Sequence, residues 1–199
     1  MSNAHAIDHH HHQMENDSID VLGFWIYIMT DCVLFATLFA AFLVLHYPGA
    51  YGPSLKPHIE LGYVLKETFF LLASNFTFGL SMLAMYKNKS MLMRILLGLT
   101  FVLGAGFVVM EVNEFIHLIS VGYSPAVSGA ASAFFVLVGT HGFHVSMGLL
   151  WILVSIVQIS RFGINSMMKK RLTYLGLFWN FLDIVWIFLF TIVYLIGAM

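Results

Sequence analysis

Long runs of apolar residues alternate with short polar breaks along this chain. Five such runs occur, at roughly 21–45, 62–86, 92–118, 129–158 and 172–198. A helix crosses a bilayer with about 20 consecutive, mainly apolar residues. The breaks contain glycine, proline or lysine, and they are too short for a folded domain. The pattern therefore predicts an all-α fold, a polytopic membrane bundle of five transmembrane helices.

Composition agrees with this pattern and excludes several classes of protein. Of the 199 residues, 60% are hydrophobic and 10% are charged, which is too few charges to cover a soluble surface. The net charge is −1 and no basic block occurs, so no nucleic-acid partner is predicted. The one cysteine, Cys32, lies inside an apolar run, and neither a disulfide framework nor a cysteine metal site is predicted.

The first twenty residues differ from the rest. They are polar, carry four acidic residues and the run His9–His12, and contain no lysine or arginine. A signal peptide needs a basic start and a short apolar core, so this segment is not one. The sequence predicts a disordered cytoplasmic tail at 1–20 before a membrane domain at 21–199. The four histidines could instead bind a metal weakly or be a remnant of a tag.

Basic residues predict the orientation. Seven of the nine lie near the breaks after the second and fourth runs: Lys87, Lys89, Arg94, Arg161, Lys169, Lys170 and Arg171. Only Lys56 and Lys66 lie on the other side. Because cytoplasmic segments are enriched in lysine and arginine, we expect a cytoplasmic amino terminus and a carboxyl terminus on the opposite side.

Ionisable side chains interrupt the apolar runs. These are Asp31, Glu67, Glu111, Glu114, His141, His144 and Asp183. An ionisable group at the bilayer centre costs roughly 2.5–3.5 kcal/mol, so such residues usually face partners within a bundle or mark a functional site. Counting along the helices places Asp31, His144 and Asp183 in the middle of the membrane. The three glutamates fall in its outer third.

Two pairs are spaced three residues apart on one helix. Glu111 and Glu114 form one pair, and His141 and His144 form the other, so each pair lies on one helix face. Carboxylates held close together in a low dielectric do not all ionise. We therefore expect at least one of the three glutamates to be protonated near neutral pH.

Several roles are open for these residues. They could form hydrogen bonds or acid–histidine pairs that lock the bundle, or they could form a proton relay, a metal site or a haem site. A haem takes axial ligands on opposite faces, and histidines three apart on one helix cannot supply both. The two depth layers also argue against one compact metal site. We therefore predict no metal bound by this chain.

With the runs and their polar residues in place, a family resemblance becomes visible. It rests on motifs that occur in order on successive runs: Gly23-Phe24-Trp25-Ile26-Tyr27 with Asp31-Cys32, Glu67-Thr68-Phe69, Met110-Glu111-Val112-Asn113-Glu114-Phe115, Gly139-Thr140-His141-Gly142-Phe143-His144-Val145, and Phe178-Trp179 with Asp183 and Trp186. The chain closely resembles subunit III of haem-copper terminal oxidases, and in particular that of bo-type ubiquinol oxidases.

The resemblance implies a fold, a function and a set of partners. It implies two helix groups around a lipid-filled V-shaped cleft, in the five-helix form of the family. It implies a non-catalytic structural subunit of a proton-pumping quinol oxidase in the bacterial inner membrane. The haems and copper would then belong to the large catalytic subunit I. The partners would be subunit I, the other oxidase subunits and structural phospholipids.

The resemblance also assigns residues. Asp31 matches a buried carboxylate near the subunit I interface, Glu111 and Glu114 match an acidic pair, and His141 and His144 match paired histidines. The family commonly has Trp-His where this chain has Trp179-Asn180. Asparagine cannot carry a proton charge, so a relay through Asn180 is disfavoured, whereas a packing or lipid-contacting role is not.

Two other functions use the same polar residues. A small proton-coupled transporter would use Asp31, Asp183 and the histidines, and its mark would be inverted repeats or broken helices, which the sequence does not show. A stand-alone lipid-binding membrane protein would use the same polar residues without an oxidase.

Overall fold

A computed structural model describes residues 2–46 and 61–196. The helices are α1 (Ser2–Leu45), α2 (Leu61–Tyr86), α3 (Ser90–Ser120), α4 (Gly129–Phe162) and α5 (Ser166–Leu189), and a π-helical segment at Phe190–Ile196 follows α5. Five stretches are long and apolar enough to cross a membrane: Ile19–Leu45, Gly62–Tyr86, Ser90–Ser120, Gly129–Arg161 and Ser166–Tyr194. The prediction of an all-α protein with five transmembrane helices is confirmed.

Helices suit these stretches because lipid offers no hydrogen-bond partner to the backbone, and a helix satisfies its own N–H and C=O groups. Small polar side chains follow the same rule. The hydroxyl of Thr68 donates to the carbonyl of Val64 at 2.9 Å, and that of Ser155 donates to Trp151 at 2.8 Å. These two hydroxyl groups are thus satisfied by the preceding helical turn.

Packing divides the chain into two units, one ending at Thr37 and the other beginning at Leu38. In the first unit, which lies within α1, large apolar side chains such as Trp25 and Val33 are exposed. In the second unit, α2 packs against α3 and α5, and α4 packs against α3 and α5. The helices α2 to α5 therefore form a closed arrangement around a common core.

The indole of Trp179 fills much of that core. It is almost fully buried, and a methyl group added at Gly148 would lie 2.8 Å from the indole ring. A methyl group at Gly104 would lie 3.2 Å from the same ring and 2.8 Å from Leu149. Glycine on α3 and on α4 therefore lets both helices approach this side chain closely, as small residues commonly do in membrane bundles.

The turns between helices use residues that accept a left-handed backbone. Asn88 has φ 53° between α2 and α3, Gly122 has φ 91° after α3, and Gly163 has φ 70° after α4. The N–H of Tyr123 then bonds the carbonyl of Leu118 at 2.9 Å. These bonds satisfy carbonyls that the helix ends would otherwise leave without partners.

The helix boundaries differ from the sequence prediction at polar ends. The last helix begins at Ser166 rather than near 172, so Lys169, Lys170 and Arg171 lie in its first turns instead of in a connection. A helix predicted only from a run of apolar residues leaves out its polar first turns, although lysine and arginine are good helix formers. The predicted end of that span at 198 lies outside the described residues, as does Lys56.

The amino-terminal segment belongs to the first helix, because α1 begins at Ser2. The segment contains neither glycine nor proline before Gly23, so nothing in it interrupts a helix that continues from the membrane span. The division into a tail at 1–20 and a membrane domain at 21–199 stays a prediction.

Candidate functional site

Three buried glutamates from two helices lie together in the second unit. Glu67 comes from α2, and Glu111 and Glu114 come from one face of α3. Their exposed fractions are 0%, 3% and 9%. Glu67 is within electrostatic reach of both glutamates of α3. We name these three residues the carboxyl cluster.

The hydrogen bonds of the cluster are unequally distributed. The hydroxyl of Tyr194 donates to Oε2 of Glu114 at 2.9 Å, and this bond is buried. Three other carboxyl oxygens have no hydrogen-bond partner within the described part of the chain. They are both oxygens of Glu67 and Oε1 of Glu111. A buried polar atom without a partner is costly, so this arrangement needs a chemical explanation.

Helix α4 contributes a glycine to the site. A methyl group added at Gly142 would lie 2.5 Å and 2.6 Å from the two carboxyl oxygens of Glu111. No side chain longer than hydrogen fits there without a shift of the carboxyl group. Gly142 therefore provides the space in which the carboxyl group of Glu111 is buried.

Aromatic rings surround the cluster on the α4 and α5 side. The rings of Phe107 and Trp186 are perpendicular at 4.7 Å, and His141 lies 5.3 Å from Trp186. The indole N–H of Trp186 donates to the hydroxyl of Thr68 at 3.0 Å. Tyr194 lies 5.9 Å from Phe134. Such apolar surroundings keep the local dielectric low.

A second polar contact joins α2 to α5. The amide of Asn75 donates to Oδ2 of Asp183 at 3.0 Å. Asp183 is therefore held by an amide on a neighbouring helix, which is the bundle-locking alternative and not an acid–histidine pair. Nearby on α2, the hydroxyl of Ser74 donates to the carbonyl of Thr100 on α3 at 3.1 Å.

The other candidate residues have surroundings of their own. Asp31 belongs to the first unit, where it is buried and hydrogen-bonded to Tyr27, one turn earlier. His141 is fully buried, whereas His144 is half-buried and its Nδ1 lies 2.7 Å from the carbonyl of Thr140. The structure thus brings the three glutamates together.

Asn180 lies on the outer side of α5, and its side chain is exposed in the structure. The reason is helical geometry, because Trp179 and Asp183 face the core and a residue next to Trp179 is turned by about 100° around the axis. A role of Asn180 at a subunit interface or in a lipid cleft stays a prediction.

Sequence reasoning missed two hydrogen-bond donors of the site. Tyr194 lies in the π-helical segment, where the helical repeat no longer predicts which face a residue occupies. Asn75 is an ordinary polar residue within an apolar span, and its uncharged side chain does not stand out as the ionisable ones do. The one available signal is that an uncharged polar residue in a span usually bonds across to another helix.

The arrangement can hold protons more readily than a metal. Among the described residues, no group of three or more His, Cys, Asp or Glu side chains is placed to hold a metal ion. Carboxyl groups in apolar surroundings with few donors favour their neutral form, which can itself donate a hydrogen bond. The site is therefore suited to acid–base chemistry or to packing.

Comparison with known proteins supplies the family. A family model described as "Cytochrome c oxidase subunit III" matches residues 1–198. The cytochrome bo(3) ubiquinol oxidase subunit 3 of Pseudomonas aeruginosa is 50% identical over 200 residues, covering 100% of this chain and 96% of the relative. That of Pseudomonas putida is 50% identical over 185 residues, covering 93% and 89%.

A more distant relative aligns over nearly the same length. The probable quinol oxidase subunit 3 of Staphylococcus epidermidis is 41% identical over 195 residues, covering 98% of this chain and 96% of the relative. A family match along almost the whole chain and relatives of nearly equal length agree with each other. The chain belongs to the cytochrome c oxidase subunit III family.

Proposed function

We propose that this chain is the third subunit of a bo-type ubiquinol oxidase, a haem-copper enzyme of the bacterial inner membrane. The observation that carries the proposal is the 50% identity along the whole chain to a protein named as subunit 3 of such an oxidase. The five transmembrane helices fit the same function. In this role the chain supports a complex that oxidises ubiquinol, reduces oxygen to water and moves protons.

Within the complex we assign the redox chemistry to another chain. The haems and copper belong to the large catalytic subunit I, and this subunit has a structural role without catalytic residues of its own. The exposed apolar surface of α1 supports contact with a membrane partner or with lipid, because side chains such as Ile19, Trp25 and Val33 are exposed. Asp31, buried on the same helix, is the candidate for the subunit I interface.

Phospholipid is the second proposed partner. A cleft between two helix groups would hold structural lipid. Asn180 on the exposed face of α5 is a candidate lipid contact, because an asparagine within a span needs a hydrogen-bond partner. His144, half-buried on α4, is another. These assignments are separate from the subunit's place in the oxidase and are tested by identifying the lipids that remain bound after purification.

The proposed orientation places the amino terminus in the cytoplasm and the carboxyl terminus in the periplasm. Support comes from the turns α2–α3 and α4–α5, which lie at one end of the antiparallel helices and carry most of the basic residues, including Lys87, Lys89 and Arg161. Reporter fusions at the two termini test it. A reporter active only in the periplasm must be active at the carboxyl terminus alone.

The decisive experiment is isolation of this chain from native membranes in mild detergent. We expect a large multi-span partner, haem bands in the dithionite-reduced minus oxidised spectrum, and quinol-driven oxygen uptake. Purification as a solitary chain without haem would contradict the proposal and favour the transporter or the lipid-binding protein. No contact among the described residues favours either of those two functions.

A further inference from the structure

The carboxyl cluster contains more acidic groups than its surroundings can ionise. Glu67, Glu111 and Glu114 are buried, and the described residues offer them one hydrogen-bond donor, the hydroxyl of Tyr194. No lysine or arginine of the described residues forms an ion pair with them. A buried carboxylate without a counter-charge or donors is strongly disfavoured, so neutralisation by a proton is favoured.

The hydrogen bonds indicate which groups are neutral. Both oxygens of Glu67 and Oε1 of Glu111 lack a donor, so an ionised form of either would be unsupported. Oε2 of Glu114 accepts from Tyr194, so a negative charge there is stabilised. A neutral acid can also donate its own proton to the neighbouring carboxylate, which an ionised Glu67 could not do.

We propose that the carboxyl cluster is a buried proton-binding site in which Glu67 and Glu111 are neutral carboxylic acids and Glu114 carries the single negative charge. A monovalent cation is the competing ligand. The described residues contain no grouping of His, Cys, Asp or Glu side chains placed to hold a metal ion, which favours protons.

Two other titratable side chains belong to helices that contribute residues to the site, Tyr63 on α2 and His141 on α4. On α2, Tyr63 donates its hydroxyl to the carbonyl of Met110 at 3.1 Å and is within electrostatic reach of Glu67 and Glu114. On α4, His141 is buried between aromatic rings and is influenced by His144.

None of these groups supplies a fixed positive charge. Tyrosine is neutral or negative, and a histidine enclosed by aromatic rings is favoured in its neutral form. The side chains of Lys66 and His117, which belong to the same spans as the glutamates, are exposed. The charge of the cluster therefore depends on its own protons.

The test is infrared spectroscopy of the complex purified through this chain, at neutral pH in H₂O and in D₂O. The spectrum of the unmodified complex minus that of Glu67→Gln is expected to show the loss of one protonated-acid carbonyl band that shifts in D₂O. Glu111→Gln is expected to remove another such band. Glu114→Gln is expected to remove carboxylate bands instead.

Asp183→Asn is the matched control, because Asp183 is a membrane carboxyl outside the cluster with its own donor, Asn75. It is expected to leave the bands of Glu67 and Glu111 in place. The proposal is overturned if Glu67→Gln and Glu111→Gln remove carboxylate bands. It is also overturned if either amide variant fails to assemble, since an amide closely replaces a neutral acid. Loss of the acid bands on adding sodium or potassium at constant pH would assign the site to a cation.

Discussion

The hydroxyl of Tyr194 donates a 2.9 Å hydrogen bond to Glu114, eighty residues earlier in the chain. The bond joins the π-helical segment after α5 to the last turns of α3, and it is the one hydrogen bond that the described residues make to the carboxyl cluster. It therefore ties the end of the described chain to α3, and its removal affects both the packing and the charge of the site.

Removing that donor is expected to destabilise the subunit. In Tyr194→Phe the buried carboxyl of Glu114 loses its donor while the ring stays in place, and a bond to a charged group contributes about 1.5–3 kcal/mol. We expect a lower midpoint for thermal release of this chain from the complex. Tyr86→Phe is the control, since Tyr86 is 67% exposed at the end of α2. An equal effect of both substitutions would contradict the expected role of the bond.

A methyl group at Gly142 is expected to displace the carboxyl group of Glu111. Gly142→Ala places Cβ within 2.6 Å of both oxygens of that group, and overpacking a core typically costs about 1–3 kcal/mol. Gly139→Ala, one turn away, places its methyl group 3.7 Å from Phe115 and should have little effect. The measurement is the thermal midpoint of each variant complex. When Gly142→Ala is combined with Glu111→Ala, most of the decrease in thermal midpoint caused by Gly142→Ala should disappear. A decrease that persists in the double variant would show that the methyl group clashes with another side chain.

The Asn75–Asp183 bond is expected to couple α2 to α5. Asn75→Ala leaves the buried carboxyl of Asp183 without its donor, a cost of about 1–3 kcal/mol. The pair Asn75→Ala and Asp183→Ala should be strongly non-additive in a double-mutant cycle of thermal stability. Additive effects would show that the two side chains act independently.

Tyr123 is expected to make stability depend on pH in the alkaline range. It lies in the α3–α4 turn, outside the spans, and burial raises the pKa of its hydroxyl from 10.0 to about 12. Because the folded pKa is the higher one, the unfolded chain releases this proton first, and stability falls as pH rises from 10 towards 12. Tyr123→Phe should make that fall shallower, as measured by thermal midpoints between these pH values, and an unchanged fall in this variant would contradict the prediction.

The sequence predicts the helices well where apolarity alone decides. The second span, at 62–86, has the same bounds in the prediction and in the structure, and a turn with two lysines follows it. The predicted start of the last helix is wrong by six residues, because Lys169, Lys170 and Arg171 are polar but form helix readily. Hydropathy indicates which residues are apolar enough to lie in the membrane, but it does not indicate the residue at which a helix begins.

The site is predictable only in part. A spacing of three residues places Glu111 and Glu114 on one face, and counting depth brings Glu67 to the same level. The donor Tyr194 cannot be found in this way, because Phe190–Ile196 is almost uniformly apolar and no pattern marks the change from α to π winding. The exposed side of α5 on which Asn180 lies was not predicted, because a motif from a resemblance carries no information about which face a substituted residue occupies.

The π-helical segment makes the carboxyl end of the bundle sensitive to how the backbone is wound. Bonds from each residue to the fifth one along hold more residues per turn than an α-helix does. Rewinding Phe190–Tyr194 as an α-helix of the same length would therefore turn Tyr194 further around the helix axis. Tyr194 would then leave Glu114 even though every side chain of the site was unchanged. The winding of an apolar stretch without acidic residues therefore determines whether the carboxyl cluster keeps the one donor that the described residues give it.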